Sequence, residues 1–233
     1  MQRRLITHED PKSPISEAYR SLRTSLTYYN TKKECKVILV SSVGPGEGKT
    51  TTIANLAITY ANLGKKTLLV DSDLRKPVTH NIFKIDKTPG LTSLLCSDSS
   101  FQEVIKKTDI DNLDIITSGV VPPNPSELLA SEAMIEFINE AKKSYDVILF
   151  DSPPLIAVTD AYVLLKNIDE FLLKISSIKK SAKLIDDFNF NGDFIESQAF
   201  AYLAIRSYLN KFITFPGTTG VKKPCRGGLI FKN

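Results

Sequence analysis

The chain has 233 residues, of which 42% are hydrophobic and 24% are charged, with no tryptophan. This length suits one globular domain with a full hydrophobic core, and the composition is that of an ordinary globular protein rather than a disordered chain. The net charge of +4 comes from residues 171–233, which contain 10 Lys and Arg against 4 Asp and Glu. The excess is spread out without a dense block. That favours a solvated surface over binding to acidic lipid, and we expect no nucleic-acid partner.

Cysteine and histidine usage argues against a disulfide framework and against a zinc site. The three cysteines contain no Cys-x-x-Cys pair, and only two histidines are present. The N-terminal residues include two arginines but no apolar signal core, and no apolar stretch approaches the roughly 18 residues of a membrane span. We therefore expect a protein of the reducing cytoplasm that does not cross a membrane by itself.

The first predicted element is a helix over about residues 15–29. Ser16 has the character of an N-cap, and apolar residues follow it at helical spacing. Glu17, Arg20 and Arg23 stand three residues apart and so lie along nearly one side of this helix. From spacing alone, a solvated helix surface explains them as well as a protein interface does.

A phosphate-binding loop is predicted next, in the segment VILVSSVGPGEGKTTT. A buried strand at 37–40 leads into a glycine-rich turn whose backbone N–H groups can surround a phosphate, and a helix over 50–63 opens after it. Lys49 suits contact with the β- and γ-phosphates, and the Thr50 hydroxyl suits Mg²⁺. Val43 stands where the usual spacing has its first glycine, and the alternative is a β–α turn that binds nothing. The predicted nucleotide-binding residues are Gly44, Pro45, Gly46, Glu47, Gly48, Lys49, Thr50 and Thr51.

Three further short apolar runs end in polar residues, at 67–71, 113–117 and 147–151. Their alternation with helical segments predicts a doubly wound parallel α/β sheet, in which ligands bind at the carboxyl ends of the strands. Asp71, Asp73 and Asp151 are therefore expected at the edge that carries the phosphate-binding loop. Asp151 is a candidate Mg²⁺ ligand, and Asp71 and Asp73 offer a second metal contact and a base. Helix capping or turn formation is the alternative role for these carboxylates.

These motifs, in this order, resemble the bacterial tyrosine kinases of capsular and exopolysaccharide synthesis, of the type in which the kinase is a separate cytoplasmic subunit. The resemblance covers residues 1–170, which we take as a kinase-like domain. It rests on ISEAYRSLR, SSVGPGEGKTT, LLVDSDLRKP, GVVPPNPSELL, and VILFDSPP followed by TDA. The family also tolerates a residue other than glycine at the position of Val43.

The resemblance implies a P-loop ATPase fold related to the MinD and ParA proteins, with ATP and Mg²⁺ as cofactors. It implies catalytic roles for Lys49, Asp71 and Asp73, and Mg²⁺ ligation by Thr50, Asp71 and Asp151. A tyrosine hydroxyl has a pKa near 10, so a carboxylate must accept its proton during phosphoryl transfer. We favour Asp73 over Asp71 as that base.

The resemblance also implies a homo-oligomeric ring. In the family, the helix with Glu17, Arg20 and Arg23 packs between subunits, and one subunit presents its tyrosines to the next. A membrane-embedded activator, the polysaccharide co-polymerase subunit, is the expected partner. It would recruit the chain to the inner face of the cell membrane.

The resemblance ends near residue 170. Residues 167–175 can supply the next expected strand, but the family's later adenine-pocket asparagine and terminal tyrosine cluster are missing. Residues 183–224 instead resemble the C-terminal end of the anhydro-N-acetylmuramic acid kinases, although too little of that fold is present to transfer a catalytic residue. A helix is predicted over 194–209. The tail at 171–233 is therefore either a true fusion or the product of a truncated or wrongly joined gene.

Three functions remain open at this point. The first is an ATP-dependent protein-tyrosine kinase. The second is a catalytically impaired, ATP-binding scaffold of the same assembly, which the missing tyrosine cluster favours. The third, supported by the tail alone, is a fragment related to sugar kinases.

Overall fold

A computed structural model describes residues 5–29, 36–42, 44–154, 160–164, 168, 170–174, 212–214 and 225–226. The strands are β1 (Lys36–Ser42), β2 (Thr67–Asp71), β3 (Lys106–Lys107), β4 (Leu113–Ile116), β5 (Val147–Asp151), β6 (Glu170–Lys174), β7 (Phe212–Thr214) and β8 (Cys225–Arg226). The helices are α1 (Ile6–Glu9), α2 (Pro14–Tyr29), α3 (Lys49–Ala61), α4 (Thr79–Phe83), α5 (Leu91–Leu95), α6 (Phe101–Val104), α7 (Pro125–Leu129), α8 (Glu132–Ala141) and α9 (Asp160–Leu164).

Six strands form one sheet in the order β3-β4-β2-β5-β1-β6. All neighbours in it are parallel except β3, which pairs antiparallel with β4 at one edge. Strands β7 and β8 form a separate antiparallel pair. The predicted parallel α/β sheet is therefore confirmed, with the short edge strand β3 as an addition.

The sheet has a hydrophobic core on each face. In β1, Ile38 and Val40 belong to the core that includes residues of α2 and α3. Val37 and Leu39 belong to the core that includes residues of α5, α6 and α8. Because successive side chains of a strand point to opposite faces, a strand covered on both sides must be apolar throughout. This explains why the strands read as continuous apolar runs.

The strand register brings carboxylates together. Asp71, the last residue of β2, pairs with Asp151, the last residue of β5. Asp151 also stands opposite Val40 of β1, the strand that leads into the glycine-rich turn. The carboxyl edge of the sheet is therefore the place where the predicted site residues meet.

Helix ends depart from the sequence predictions in three places. The prediction that Ser16 caps α2 was wrong: the helix begins at Pro14, and the Ser16 backbone N–H donates to Ser13 Oγ at 3.1 Å. Proline is favoured in the first helical position, which moves the cap to the residue before it. Helix α3 ends at Ala61, so Leu63 is 55% exposed instead of joining the buried face. Residue 124, and not Ser126, precedes the first residue of α7.

Strand β6 confirms the expectation that residues 167–175 supply another strand, since residues 170–174 pair parallel with β1. The predicted helix over 194–209 lies outside the described residues, as does the segment 183–224 apart from β7. The boundary at residue 170 stays a prediction. Within the described part of the chain, each helix is too short or too polar to cross a bilayer.

The loop that follows β4 is fixed against the start of α5. The backbone N–H of Leu91 donates to the Thr117 carbonyl at 2.7 Å, and that of Thr92 donates to the Ser118 carbonyl at 3.0 Å. These bonds bring Gly90 against Gly119, so that a Cβ added at Gly90 would lie 2.3 Å from the Gly119 nitrogen. Backbone atoms cannot move aside as a flexible side chain would.

We expect Gly90→Ala to destabilise the protein by about 1–3 kcal/mol, because the added methyl group overpacks a contact between two backbone segments. Urea unfolding followed by circular dichroism measures this change as a lower transition midpoint. An unchanged midpoint would contradict the close approach of these segments.

Candidate functional site

The glycine-rich turn lies between β1 and α3, and its backbone conformation depends on glycine. Gly46 and Gly48 have φ angles of 79° and 81°, in the left-handed region that other residues rarely adopt. The turn is held internally, since the Gly44 backbone N–H donates to Glu47 Oε1 at 2.8 Å. All eight predicted nucleotide-binding residues lie in this turn and the first turn of α3. Val43, whose departure from glycine was noted above, is outside the described residues.

Lys49, the first residue of α3, reaches across the site to two carboxylates. Its Nζ lies 3.0 Å from Asp73 Oδ2 and 3.8 Å from Asp151 Oδ1, and its side chain is only 12% exposed. Burial alone would lower the pKa of Lys49, but the charges of Asp151 and Asp73 outweigh it and raise the pKa. The ammonium group is therefore firmly charged.

Asp71 is fully buried at the end of β2. Its Oδ2 accepts hydrogen bonds from the backbone N–H groups of Val78 and Thr79, at 3.2 and 3.1 Å, at the start of α4. Its Oδ1 is buried and has no hydrogen-bond partner. Burial, followed by the charge of Asp151, raises the pKa of Asp71 to about 7. One oxygen thus binds the backbone at the start of α4, while the other accepts no hydrogen bond.

Asp73 divides its two oxygens in the same way. Oδ1 accepts from the Lys76 backbone N–H at 3.0 Å, and Oδ2 faces Lys49. The side chain of Asp73 is 6% exposed, and that of Asp151 is 1% exposed. The turn role expected as the alternative for Asp73 is therefore observed at Oδ1, while the metal or base role stays a prediction.

The arrangement fits a nucleotide with a divalent cation. Three nearly buried carboxylates surround one lysine, which leaves excess negative charge and the unpartnered Asp71 Oδ1. A cation would satisfy that oxygen and relieve the mutual repulsion. Among the described residues, no group of three or more His, Cys, Asp and Glu side chains could hold a metal ion by itself. Mg²⁺ typically takes one or two protein carboxylates and completes its shell with phosphate oxygens and water.

The three charged residues of α2 have different surroundings. Arg20 pairs with Glu17 at 2.7 Å and donates to the Pro11 carbonyl at 2.8 Å, both at the surface. Arg23 is half-buried and donates to the Thr59 carbonyl at 2.7 Å, in the last turn of α3. A cation at a helix C-terminus satisfies an orphan carbonyl and the helix dipole. Arg23 therefore stabilises α3 within the subunit, whatever its role between subunits.

One cluster at the carboxyl edge was missed from the sequence. Asp160, at the start of α9, forms a bidentate ion pair with Arg75 and accepts a hydrogen bond from Ser126. Ser126 was interpreted as a helix cap, and Arg75 and Asp160 were noted only as letters of longer motifs. An acidic residue opening an apolar helix was the available signal, but its partners are 85 and 34 positions away.

Comparison with known proteins adds the following. Residues 35–187 match the AAA domain family. The chain is 46% identical over 179 residues to tyrosine-protein kinase YwqD of Bacillus subtilis, covering 77% of this chain and 76% of that protein. It is 40% identical over 177 residues to putative tyrosine-protein kinase CapB of Staphylococcus aureus, covering 76% of this chain and 78% of that protein.

Solved structures of related proteins have a similar fold. The chimerical protein CapA2B2 superposes with a TM-score of 0.73 at 38% identity, over 85% of this chain and 83% of that one. The kinase domain of Escherichia coli tyrosine kinase ETK gives 0.71 at 34% identity, over 73% and 67%. The septum site-determining protein MinD of Pyrococcus horikoshii, complexed with Mg-ADP, gives 0.53 at 28% identity, over 60% and 57%. The P-loop fold, which implies binding of a nucleotide with a metal, is thereby shown.

The raised pKa of Asp71 predicts a pH dependence of stability. The folded protein retains a proton on Asp71 up to a pKa of about 7, whereas the ordinary value is 3.8. The unfolded chain therefore binds fewer protons between these values, and this contribution to stability is lost as pH rises from about 4 to about 7. Asp71→Asn keeps an acceptor oxygen for Val78 and Thr79 but does not titrate.

We expect the melting temperature of Asp71→Asn, relative to wild type, to rise over that pH range and to level off above it. Differential scanning fluorimetry without nucleotide or divalent cation measures it. Lys107→Gln, which changes an 82% exposed side chain of the edge strand β3, is the control and should track wild type. Parallel curves for Asp71→Asn and wild type would contradict the assignment.

The contacts of α2 predict that its charged residues separate into two classes. Arg23→Ala should lower the free energy of unfolding of the monomer by about 1–3 kcal/mol, because it removes a charged donor from a helix carbonyl. Glu17→Ala should have little effect, since exposed ion pairs contribute little. Urea unfolding at concentrations where the protein is monomeric checks both. Equal effects would contradict the capping role of Arg23.

Proposed function

The chain belongs to the bacterial tyrosine-protein kinases, and on that premise we propose that it transfers the γ-phosphoryl group of MgATP to protein tyrosines in an assembly that makes capsular or extracellular polysaccharide. The observation that carries the proposal is the contact of Lys49 with Asp73 and Asp151 beside the glycine-rich turn. This lysine and these carboxylates provide both halves of the chemistry, charge stabilisation and proton acceptance.

The phosphates of ATP would lie in the turn, where the N–H groups and the amino end of α3 favour negative charge. Thr50, Asp71 and Asp151 are the proposed Mg²⁺ ligands, and the metal would neutralise charge on the β- and γ-phosphates. Lys49 would exchange its contact with Asp73 for a phosphate oxygen. That exchange frees Asp73 Oδ2 at the moment the phosphates arrive.

In the transfer step, the phenolic oxygen of the acceptor tyrosine forms a bond to the γ-phosphorus as the bond to the β-bridging oxygen breaks. ADP departs, and the phenolic proton passes to a carboxylate. We assign this base to Asp73 rather than Asp71. Asp71 gives Oδ2 to the start of α4 and would give its other oxygen to Mg²⁺. Asp73 gives Oδ1 to the Lys76 N–H, and its Oδ2 faces Lys49 and would become available when Lys49 turns to the phosphates.

The acceptor tyrosine would come from another chain. Among tyrosines whose side chains the structure describes, Tyr60 is 2% exposed, Tyr19 is half-buried against α3, and Tyr145 donates a hydrogen bond to Asp114 at the far edge of the sheet. None of these three can enter the site of its own subunit. A ring through Glu17, Arg20 and Arg23, recruited to the membrane by an embedded activator subunit, would bring neighbouring subunits together there, and the substrate tyrosines would come from other proteins.

The test is phosphoryl transfer by the purified chain with labelled ATP and Mg²⁺. The acceptor is a tyrosine-bearing peptide, and the same peptide with phenylalanine is the blank. We expect label on tyrosine, and we expect Lys49→Met and Asp73→Asn each to lower the rate by about 100-fold or more, because one removes phosphate stabilisation and the other the base. Lys107→Gln, at the opposite edge of the sheet, should match wild type.

Binding of a fluorescent ATP analogue separates the alternatives. Asp73→Asn should still bind it, which shows that the lost rate reflects chemistry and not unfolding. If wild type binds nucleotide but never labels the peptide or its own tyrosines, the kinase proposal fails. The scaffold interpretation would then take its place.

A further inference from the structure

Hydrogen bonds join Arg75, Ser126 and Asp160 to one another, and these three residues are called the clamp. Asp160 Oδ2 accepts from Arg75 Nε at 2.9 Å, and Oδ1 accepts from Arg75 Nη2 at 3.0 Å. Ser126 Oγ donates to the same Oδ1 and accepts from Arg75 Nη2 at 3.3 Å. The Asp160 side chain is 0% exposed, whereas that of Arg75 is 41% exposed. Such a bidentate pair fixes orientation as well as distance.

The three residues come from segments that follow three neighbouring strands. Arg75 follows β2, Ser126 stands in α7 after β4, and Asp160 opens α9 after β5. Strands β4, β2 and β5 are adjacent in the sheet. One buried carboxylate therefore ties together the segments that leave the carboxyl edge of half the sheet.

The clamp is separate from the turn that would hold the phosphates. The hydrogen bonds and the ion pair described above join the clamp residues to one another. Arg75 of the clamp is, however, only two residues after Asp73, and Asp73 Oδ1 accepts a hydrogen bond from the Lys76 backbone N–H. Residues 73–76 are thus fixed in two ways. Asp73 accepts a hydrogen bond from Lys76, and Arg75 between them is bound to Asp160.

We propose that Asp160 is a positioning residue for phosphoryl transfer: through Arg75 and Ser126 it fixes the Asp73 segment and the loop before α7 in one arrangement on the acceptor side of the site. This inference rests on the proposed kinase function. Val120 and Val121 lie in the loop before α7, beside the carboxyl edge of the sheet, and are 64% and 49% exposed. Loss of the clamp would leave the phosphate end intact and misplace the base and this loop.

The test compares clamp variants in steady-state kinetics, with ATP and acceptor peptide varied in turn. Misplacement of a reacting group by about 1 Å can cost about 100-fold, so we expect that loss in kcat for Asp160→Asn and about tenfold for Ser126→Ala. The KM for ATP should stay within about twofold of wild type, since interactions with the phosphates are unchanged. Ser126→Thr keeps the hydroxyl and should retain activity, which makes it the matched control.

Hydrogen exchange provides a readout that does not require activity. In Asp160→Asn, amides of residues 73–76 and of α7 should exchange faster, while those of α3 keep their wild-type protection. If wild type transfers no phosphate, the kinase proposal fails and exchange alone judges the clamp. Uniformly faster exchange, a loss confined to the KM for ATP, or Ser126→Thr as impaired as Ser126→Ala would overturn the inference.

Discussion

The structure depends on the meeting of three carboxylates around one lysine at the carboxyl edge of the sheet. The parallel register places Asp71 opposite Asp151, and Asp73 follows on the same loop. Burial and mutual repulsion make this arrangement unfavourable, as the raised pKa of Asp71 shows. Lys49 offsets part of the cost. The remainder favours positive charge at this edge, which supports the proposed binding of a metal-bound phosphate chain there.

The same carboxylates also organise the loops around them. Asp71 and Asp73 each bind backbone N–H groups with one oxygen and keep the other for the site. The same hydrogen bonds set the positions of the loops and of the carboxylates. A shift of these loops would therefore also displace the carboxylate oxygens that face the site. Sites that transfer phosphoryl groups depend on such prior alignment, since the protein contributes positioning and charge more than covalent chemistry.

Sequence reasoning succeeded for the buried strands and for the glycine-rich turn, where the deciding information was local. Continuous apolar runs gave the buried strands, and the Gly48-Lys49-Thr50 turn gave the start of α3. It failed at Ser126, which stands at a helix start but bonds Asp160, 34 residues away. It was incomplete at Arg23, whose partner is the carbonyl of Thr59, 36 residues away. Polar side chains take whichever partner the tertiary fold provides, and helix spacing holds no information about that choice.

The residues of the proposed phosphate site all precede the tail at 171–233. The turn, its lysine, the three carboxylates and Asp160 lie between residues 44 and 160, and the hydrogen bonds described above for them join residues of that range. The strand that follows, β6, pairs parallel with β1 and is the last strand of this sheet among the described residues. On the proposed mechanism, the lysine and the base therefore come from a part of the chain that the tail does not include. Tyrosines on another protein would meet the same base and the same lysine.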